Sequence, residues 1–248
     1  MGRILCVANQ KGGVGKTTTA INLADGLAKA GSRTLLVDLD PQCNATSGLG
    51  HRTADRHPLV SQTPLKDSLL ATSNPLLELL PGSRGFQDVE ALSSATGSSA
   101  ATLSQHLASG MSAFDFVLID CPPSLGQLTQ TALAHSTEVL MPIQCEYFAM
   151  EGLTQMIDVI RRVMSRKGNR LQFGGILLTM HDHTLELTRE VDDEVRDFFG
   201  EIVFQTVIPR DVAVSEAPSH GRSVIDYAPR ARGARAYVEL CMEVLERE

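Results

Sequence analysis

Short apolar runs alternate along this chain with longer segments of helical period. Arg3–Ala8, Thr34–Asp38, Leu76–Leu80, Phe114–Asp120, Val139–Ile143, Phe173–Thr179 and Ile202–Ile208 have strand length. Most are nearly continuous in apolar residues, the mark of strands covered on both faces. After the first run, Ala20, Ile21, Ala24, Leu27 and Ala28 share one stripe of a helix that Gly31 ends. Further helical periods cover Leu125–His135, Met150–Lys167, Leu185–Phe199 and Ala234–Glu246. The alternation predicts an α/β fold: a single-domain, doubly wound, mostly parallel sheet with helices on both faces. Leu76–Leu80 is the weakest strand signal. Gly50–Gly110 is the least regular stretch, and its Ser/Ala/Thr/Gly-rich part, Ser93–Ala101, reads as a flexible connection or a frayed helix. No internal repeat and no second domain is evident.

Between the first strand and the first helix stands Lys11-Gly12-Gly13-Val14-Gly15-Lys16-Thr17-Thr18. Glycines let backbone N–H groups close around a phosphate, and a helix N-terminus adds partial positive charge at the same place. Lys16 is positioned to reach β- and γ-phosphates, and the Thr17 hydroxyl to ligate Mg²⁺. The segment therefore predicts binding of a nucleoside triphosphate. It departs from G-x-x-x-x-G-K-[ST] at one place, where Gln10 stands for the first glycine and a second lysine, Lys11, follows. Lys11 is either a solvated loop charge or the additional signature lysine of a deviant P-loop.

Three more strand ends carry candidate chemistry, and in an open α/β sheet ligands sit at the carboxyl ends of strands. Val37-Asp38-Leu39-Asp40-Pro41-Gln42 puts two carboxylates at the mouth of the glycine loop, although Asp before Pro is also ordinary turn chemistry. Phe116-Val117-Leu118-Ile119-Asp120 ends an apolar run in an acid, the Walker B pattern, with Asp120 reaching Mg²⁺ through its water shell. Cys121 beside it reads as a packed core thiol. Val207-Ile208-Pro209-Arg210 offers a proline and backbone carbonyls for packing on a purine, a weak signal taken alone.

Composition narrows the classes. The apolar fraction is 43%, and no run approaches the ~18 apolar residues of a membrane span. The N-terminus lacks a signal-peptide pattern. The five cysteines are scattered with no C-x-x-C pair, which argues against a disulfide scaffold or zinc site and for a cytoplasmic setting. A net charge of −7 argues against a globally basic nucleic-acid binder and leaves room for a local basic patch.

The segments KGGVGKTTTAINLA, VDLDPQ, DFVLIDCPPSLG, PIQCEYFAMEGL and VIPRDVAVSEAPSHG together resemble the ParA/Soj family of partition ATPases, in the deviant-P-loop class that includes MinD. The likeness runs over nearly the whole chain. It implies ATP and Mg²⁺ as cofactors and a nucleotide-dependent homodimer with ATP sandwiched between subunits. Lys11 is then the lysine that reaches the partner subunit's phosphates. Gly12, Gly13, Val14, Gly15, Lys16, Thr17 and Thr18 hold nucleotide in cis, and Pro209 and Arg210 flank the base. Thr17, Asp38 and Asp120 surround the metal, and Asp40 positions the attacking water. The resemblance also implies weak hydrolysis stimulated by a ParB-like partner, non-specific DNA binding in the ATP state, and a nucleoid-associated location. Only Met1 and Gly2 precede the first strand, so the short chromosomal type without a helix-turn-helix extension is expected. The acidic C-terminal segment is expected not to bind membrane.

Two basic groups are candidates for a DNA face. Arg161, Arg162, Arg166, Lys167 and Arg170 read more simply as a solvated helix C-terminus. Arg210, Arg222, Arg230, Arg232 and Arg235, with Arg189 as a possible neighbour in the fold, are favoured. Two departures weaken that face. Relatives typically read IPRNVRLSEAP, whereas this chain has Asp211 and Ala213, and Leu185–Phe199 is rich in acids. A relative that positions another cargo, such as a chemoreceptor cluster or microcompartment through an adaptor, is the alternative. An iron-cluster protein lacks its paired-cysteine element here, and a metabolic ligase lacks any sign of a substrate-carboxylate pocket.

Overall fold

A computed structural model describes residues 2–60, 64–85, 111–146 and 149–247. The Ser93–Ala101 connection lies outside the described residues, as does most of the irregular stretch before Gly110.

Eight strands form one sheet: β1 (Arg3–Val7), β2 (Thr34–Asp38), β3 (Leu70–Ala71), β4 (Leu77–Leu80), β5 (Phe116–Asp120), β6 (Glu138–Gln144), β7 (Gln172–His181) and β8 (Val203–Pro209). Their spatial order is β3-β4-β2-β5-β1-β6-β7-β8. All neighbours pair in parallel except β3 with β4. β1 sits between β5 and β6, so consecutive parts of the chain diverge to either side of it and leave a crevice at its carboxyl end. Register aligns the chemistry there, with Val7 opposite Asp120 and Asp38 opposite Asp120.

The α-helices of the described residues are α1 (Lys16–Lys29), α2 (Asn44–Gly48), α3 (Leu65–Ser68), α4 (Gln127–His135), α5 (Ala149–Met164), α6 (Glu186–Phe199), α7 (Val212–Glu216), α8 (Val224–Tyr227) and α9 (Arg232–Glu246). Two apolar cores result, one on each sheet face. One joins α4, α5 and α6 to the sheet through Leu133, Ile160 and Val195. The other joins α1 and the C-terminal helices through Leu23, Leu27, Tyr237 and Leu240. α1 and α9 approach so closely that a Cβ on Gly26 would collide with the Cys241 sulfur.

The C-terminal segment is also tied to α1 by buried polar bonds. Val224 N donates to Asn22 Oδ1 at 2.7 Å, and the Ser223 hydroxyl donates to Asp25 Oδ2 at 2.5 Å. Asn74 donates to the other Asp25 oxygen at 3.0 Å, and the hydroxyls of Thr19 and Tyr237 meet at 3.3 Å. Buried polar groups paired in this way fix one arrangement, because breaking any bond strands its partner.

The fold agrees with the periodic reading, with shifts at element ends. The helix expected to reach Lys167 stops at Met164, where the Ser165 hydroxyl takes the Arg162 carbonyl at 2.9 Å and Gly168 turns the chain at φ 82°. α2, α3, α7, α8 and β3 were not expected. Each is too short to show a period.

Candidate functional site: a phosphate cradle beside an orphaned carboxylate

The glycine loop links β1 to α1 at the crevice. Gly13 and Gly15 have φ of 75° and 91°, conformations that L side chains rarely adopt. Asn9 fixes the loop by donating to the Pro142 carbonyl at 2.8 Å and accepting from Lys11 N at 3.0 Å. The Thr179 hydroxyl lies 2.9 Å from the Val14 carbonyl and 3.0 Å from that of Ile143. A cavity of about 220 Å³ opens above, lined by Gly12, Gly13, Gly15, Lys16, Thr17 and Thr18, with Asp40 and Asn44 among the residues facing them. Lys16 is buried and donates to the Lys11 carbonyl at 2.8 Å. Burial pushes its pKa down, against the pull of Asp120 and Asp40. A poorly solvated ammonium at a helix N-terminus is an anion site.

The carboxylates differ in how they are satisfied. Asp38 is fully buried; Oδ2 accepts from the Thr46 backbone at 2.8 Å and its hydroxyl at 2.6 Å, and Oδ1 accepts from Asp40 N at 3.2 Å. It thereby holds α2 against the crevice. Burial raises its pKa to about 6. Asp40 lines the cavity and accepts from Gln42 N at 2.9 Å. Burial raises its pKa, and Lys16 opposes the rise. Asp120 is different, because neither oxygen has a hydrogen-bond partner among the described residues. Burial, then the charge of Asp38, pushes its pKa well up. The Thr17 hydroxyl favours its charged form without reaching full hydrogen-bond geometry. A buried carboxylate with no donor is what a bound cation relieves. No three metal-binding side chains converge among the described residues. That donor set fits Mg²⁺, which keeps its waters and takes phosphate oxygens with one or two protein ligands.

A second cavity of about 110 Å³ shares Gly15, Thr18 and Met180 with the first and is also lined by Pro209 and Arg210. The two form one bent cleft with a charged arm and an apolar arm. Met180 borders both arms and has φ 51°; with Cys43 at φ 53°, beside Gln42 and Asn44, it is one of two non-glycine residues with positive φ among those described. Strained backbone concentrates here, as it does at functional sites. Sequence reasoning missed Met180, which carries no motif, and Asn44.

Lys11 does not line this cleft. Its ammonium pairs with Glu146, in the loop after β6, at 3.0 Å, with both side chains partly exposed. The solvated-charge and signature-lysine readings of Lys11 thus share one geometry, a cation held at the surface beside its own phosphate loop. Cys121 is a core thiol, 3.3 Å from the Cys6 sulfur.

A family model described as an AAA domain matches residues 2–173. The sporulation initiation inhibitor protein Soj of Bacillus subtilis is 45% identical over 98% of this chain and 98% of its own length. The chain belongs to the ParA/Soj family of partition ATPases. The chromosome partitioning protein ParA of Caulobacter vibrioides is 43% identical over 99% of this chain and 95% of its own. Among solved structures, a Mycobacterium smegmatis cobyrinic acid a,c-diamide synthase with bound ATP analogue and magnesium superposes with a TM-score of 0.82 at 34% identity, covering 99% of this chain and 95% of that one.

As for the basic candidates of this ParA/Soj member, Arg222, Arg230, Arg232 and Arg235 are exposed on the C-terminal layer, and Arg235 donates to the Arg230 carbonyl at 3.1 Å. Arg189 is exposed on α6, which packs into the core of the opposite face, so it belongs to a different helical layer from the others. Asp211 has a structural employment. It caps α7 through Ala213 N at 3.0 Å and accepts from Gly233 N, in the first turn of α9, at 2.9 Å. Its charge answers two helix N-termini. No described helix is long and apolar enough to cross a membrane.

Proposed function

We propose that this chain is an ATP-driven dimerising switch for chromosome or plasmid segregation, with ATP and Mg²⁺ as cofactors. The observation that carries the reading is an orphaned, fully buried Asp120 within electrostatic reach of Lys16, which lines the cleft, together with a second lysine, Lys11, that does not line it and pairs with Glu146. Backbone N–H groups of Gly12 to Gly15 and the Lys16 ammonium bind the phosphates, while Pro209 and Arg210 flank the base. Thr17 and Asp120 hold the metal, Asp120 through water, with Asp38 beside them. Bound Mg²⁺ supplies neutralising charge to the β- and γ-phosphate oxygens. Asp40 orients the attacking water. Lys11 leaves Glu146 and reaches the γ-phosphate of a second copy. Hydrolysis needs in-line geometry and charge neutralisation more than covalent chemistry, so a cation lent across the interface ties turnover to pairing. Each lysine–phosphate contact contributes roughly 1.5–3 kcal/mol. Losing one in each of two sites changes dimer affinity by orders of magnitude.

In this reading the ATP dimer binds DNA without sequence preference through the C-terminal arginines Arg222, Arg230, Arg232 and Arg235, with Arg189 a lesser candidate. Hydrolysis is slow until a ParB-like partner stimulates it and releases the DNA. The protein works in the cytoplasm on the nucleoid. The buried bonds from Asn22 and Asp25 to Val224 and Ser223 support coupling, since they join the helix that starts at the phosphates to the segment that bears the arginines. Asp211 and Ala213 lower the positive charge of that face and favour a second reading, in which the same engine positions another cargo. Gel-shift on non-specific duplex with ATP, ADP and no nucleotide, at two salt concentrations, separates the two. Retention that needs ATP and falls with salt is expected. Retention indifferent to nucleotide, or none at all, overturns the DNA-binding reading.

A further inference from the structure

The stretch after α2 and before β5 carries no sequence motif, and the switch gives it no task. Its described part is nevertheless built against the carboxyl end of β2. Ala54 N donates to the Gly82 carbonyl at 2.9 Å, and Ala54 bridges Ser83 in parallel. Leu59 is buried in the core of the α4–α6 face, and Val60 N closes a turn on the His57 carbonyl at 2.8 Å. These contacts bring His57, only 3% exposed, to the end of β2. Its ring is held on both nitrogens. Leu59 N donates to Nδ1 at 3.3 Å, which makes Nδ1 an acceptor and leaves the proton of the neutral imidazole on Nε2. Nε2 donates to the Asp38 carbonyl at 3.0 Å.

The sheet explains why this carbonyl needs a side-chain donor. Leu39 N reaches the Asp120 carbonyl of β5 at 3.0 Å. The Asp38 carbonyl belongs to the same trans peptide, so it points the other way, to the β4 side. There β4 pairs no further than Leu80, opposite Val37, and Pro81 has no N–H to offer. Gly82 N is taken by the Thr46 hydroxyl at 2.9 Å. His57 thus supplies the rung that the ladder lacks. Gly82 closes the same wall against the Asp38 side chain. A Cβ there would stand 3.0 Å from Asp38 Cγ and 3.1 Å from Oδ2, tighter than ordinary contact. Asp38 in turn places Asp40, whose N–H donates to Asp38 Oδ1 at 3.2 Å.

We propose that His57 is a positioning residue for ATP hydrolysis: its Nε2–H fixes the end of β2 through the Asp38 carbonyl, and with Gly82 as the wall behind, it sets where the Asp38 and Asp40 carboxylates stand. The proposal rests on the cleft being the MgATP site. Losing the donor strands a buried carbonyl one residue from the metal side and two from the group that orients water. A shift of about 1 Å in such a group costs up to about 100-fold in rate. The competing role for His57 is to hold only its own turn together through Leu59. Two amides separate the roles, because asparagine can copy the acceptor at Nδ1 and glutamine the donor at Nε2.

The test measures three properties of the full chain and of His57→Asn, His57→Gln and Gly82→Ala. They are basal phosphate release at saturating ATP and Mg²⁺, affinity for a fluorescent ADP with and without Mg²⁺, and thermal unfolding without nucleotide. His57→Asn is expected to lower kcat by about tenfold or more. It should also lose about tenfold of the tightening that Mg²⁺ gives to ADP binding. ADP affinity without Mg²⁺ should stay unchanged, because the phosphate loop is untouched. His57→Gln should keep kcat and the Mg²⁺ effect within about twofold of the parent, although it gives up the bond from Leu59. Both amide variants should lose Tm alike, so rate and stability part company. Gly82→Ala presses on Asp38 while deleting no bond and should lower kcat as His57→Asn does. The proposal is overturned by equal kcat in the two amide variants, by the reverse order, or by a kcat that simply follows Tm. Failure of His57→Gln to fold also overturns it, since the donor to Asp38 would then not be what the histidine supplies. Parental turnover in Gly82→Ala overturns the wall. Turnover and Mg²⁺-dependent ADP binding of the parent report on the cleft reading separately, which fails if the parent shows neither.

Discussion

The two helical layers that flank the sheet hold the same cleft by different means. The C-terminal layer exposes Arg222, Arg230, Arg232 and Arg235 and is bolted to α1 by fully buried hydrogen bonds. The opposite layer exposes the acids of α6 and reaches the cleft through a half-buried histidine–aspartate contact and a strained methionine. The formal charge of −7 averages over both and describes neither. A parallel sheet covered on both faces keeps the acids of α6 and the C-terminal arginines in different layers. Buried bonds transmit displacement rigidly, because every broken bond strands a polar group. A partly exposed side-chain hydrogen bond yields more easily, because water can replace either partner. The C-terminal layer is thus built as a fixed arm of the phosphate loop and α6 as an adjustable one.

Lys16→Ala removes the buried cation common to both sides, and steady-state ATP turnover is expected to fall by about 100- to 1,000-fold. Turnover near the original rate would remove the cleft from the account. Arg222→Glu with Arg235→Glu should lower ATP-dependent duplex retention by about tenfold at moderate salt and leave hydrolysis intact, whereas charge reversal on α6 should not lower it. Equal losses from both layers would erase the distinction. Asn22→Leu strands the Val224 N–H and should cost about 1–3 kcal/mol in denaturant unfolding, and it should loosen the dependence of DNA retention on ATP. A variant as stable and as nucleotide-dependent as the parent would show that the bolt transmits nothing.

The smallest effect is a pH dependence. Asp38 has its pKa raised by burial from 3.8 to about 6. In the nucleotide-free protein the folded state holds that proton more tightly than the unfolded chain. Its contribution to stability is therefore full below pH 3.8 and is lost as pH rises through about 6. Magnesium binding favours the charged form, so the sign reverses for the ligand. Affinity for MgATP, by titration calorimetry, is expected to weaken as pH falls through about 6, with proton release on binding. Binding that strengthens on acidification would contradict the arrangement of these carboxylates.

Much of this was legible in the chain. The alternation of strand-length runs with helical periods carried the doubly wound sheet, because burial on both faces leaves a continuous apolar signature. The phosphate loop, Asp38, Asp40 and Asp120 were legible because phosphate and Mg²⁺ need fixed residue types at strand ends. Other features depend on tertiary neighbours. Nothing in the sequence ties Asp38 to Thr46, Lys11 to Glu146 or His181 to Asp192. Each pair joins side chains brought together only by the fold. Met180 gave no signal, since a positive φ at a non-glycine residue follows from packing rather than local preference. Arg189 and the C-terminal arginines looked alike as charges, and only the division of the core into two faces separates them. Asp211 looked like a lost contact with DNA, and it proves to be a cap shared by α7 and α9.

Sedimentation of Lys11→Ala with ATP and Mg²⁺, in an Asp40→Ala background that slows hydrolysis, shows whether Lys11 joins two copies through the nucleotide. The Asp40→Ala protein alone is expected to sediment as a dimer with ATP and as a monomer with ADP. Adding Lys11→Ala should leave nucleotide binding in place and return the protein to the monomer. A dimer that survives the loss of Lys11 would contradict the account.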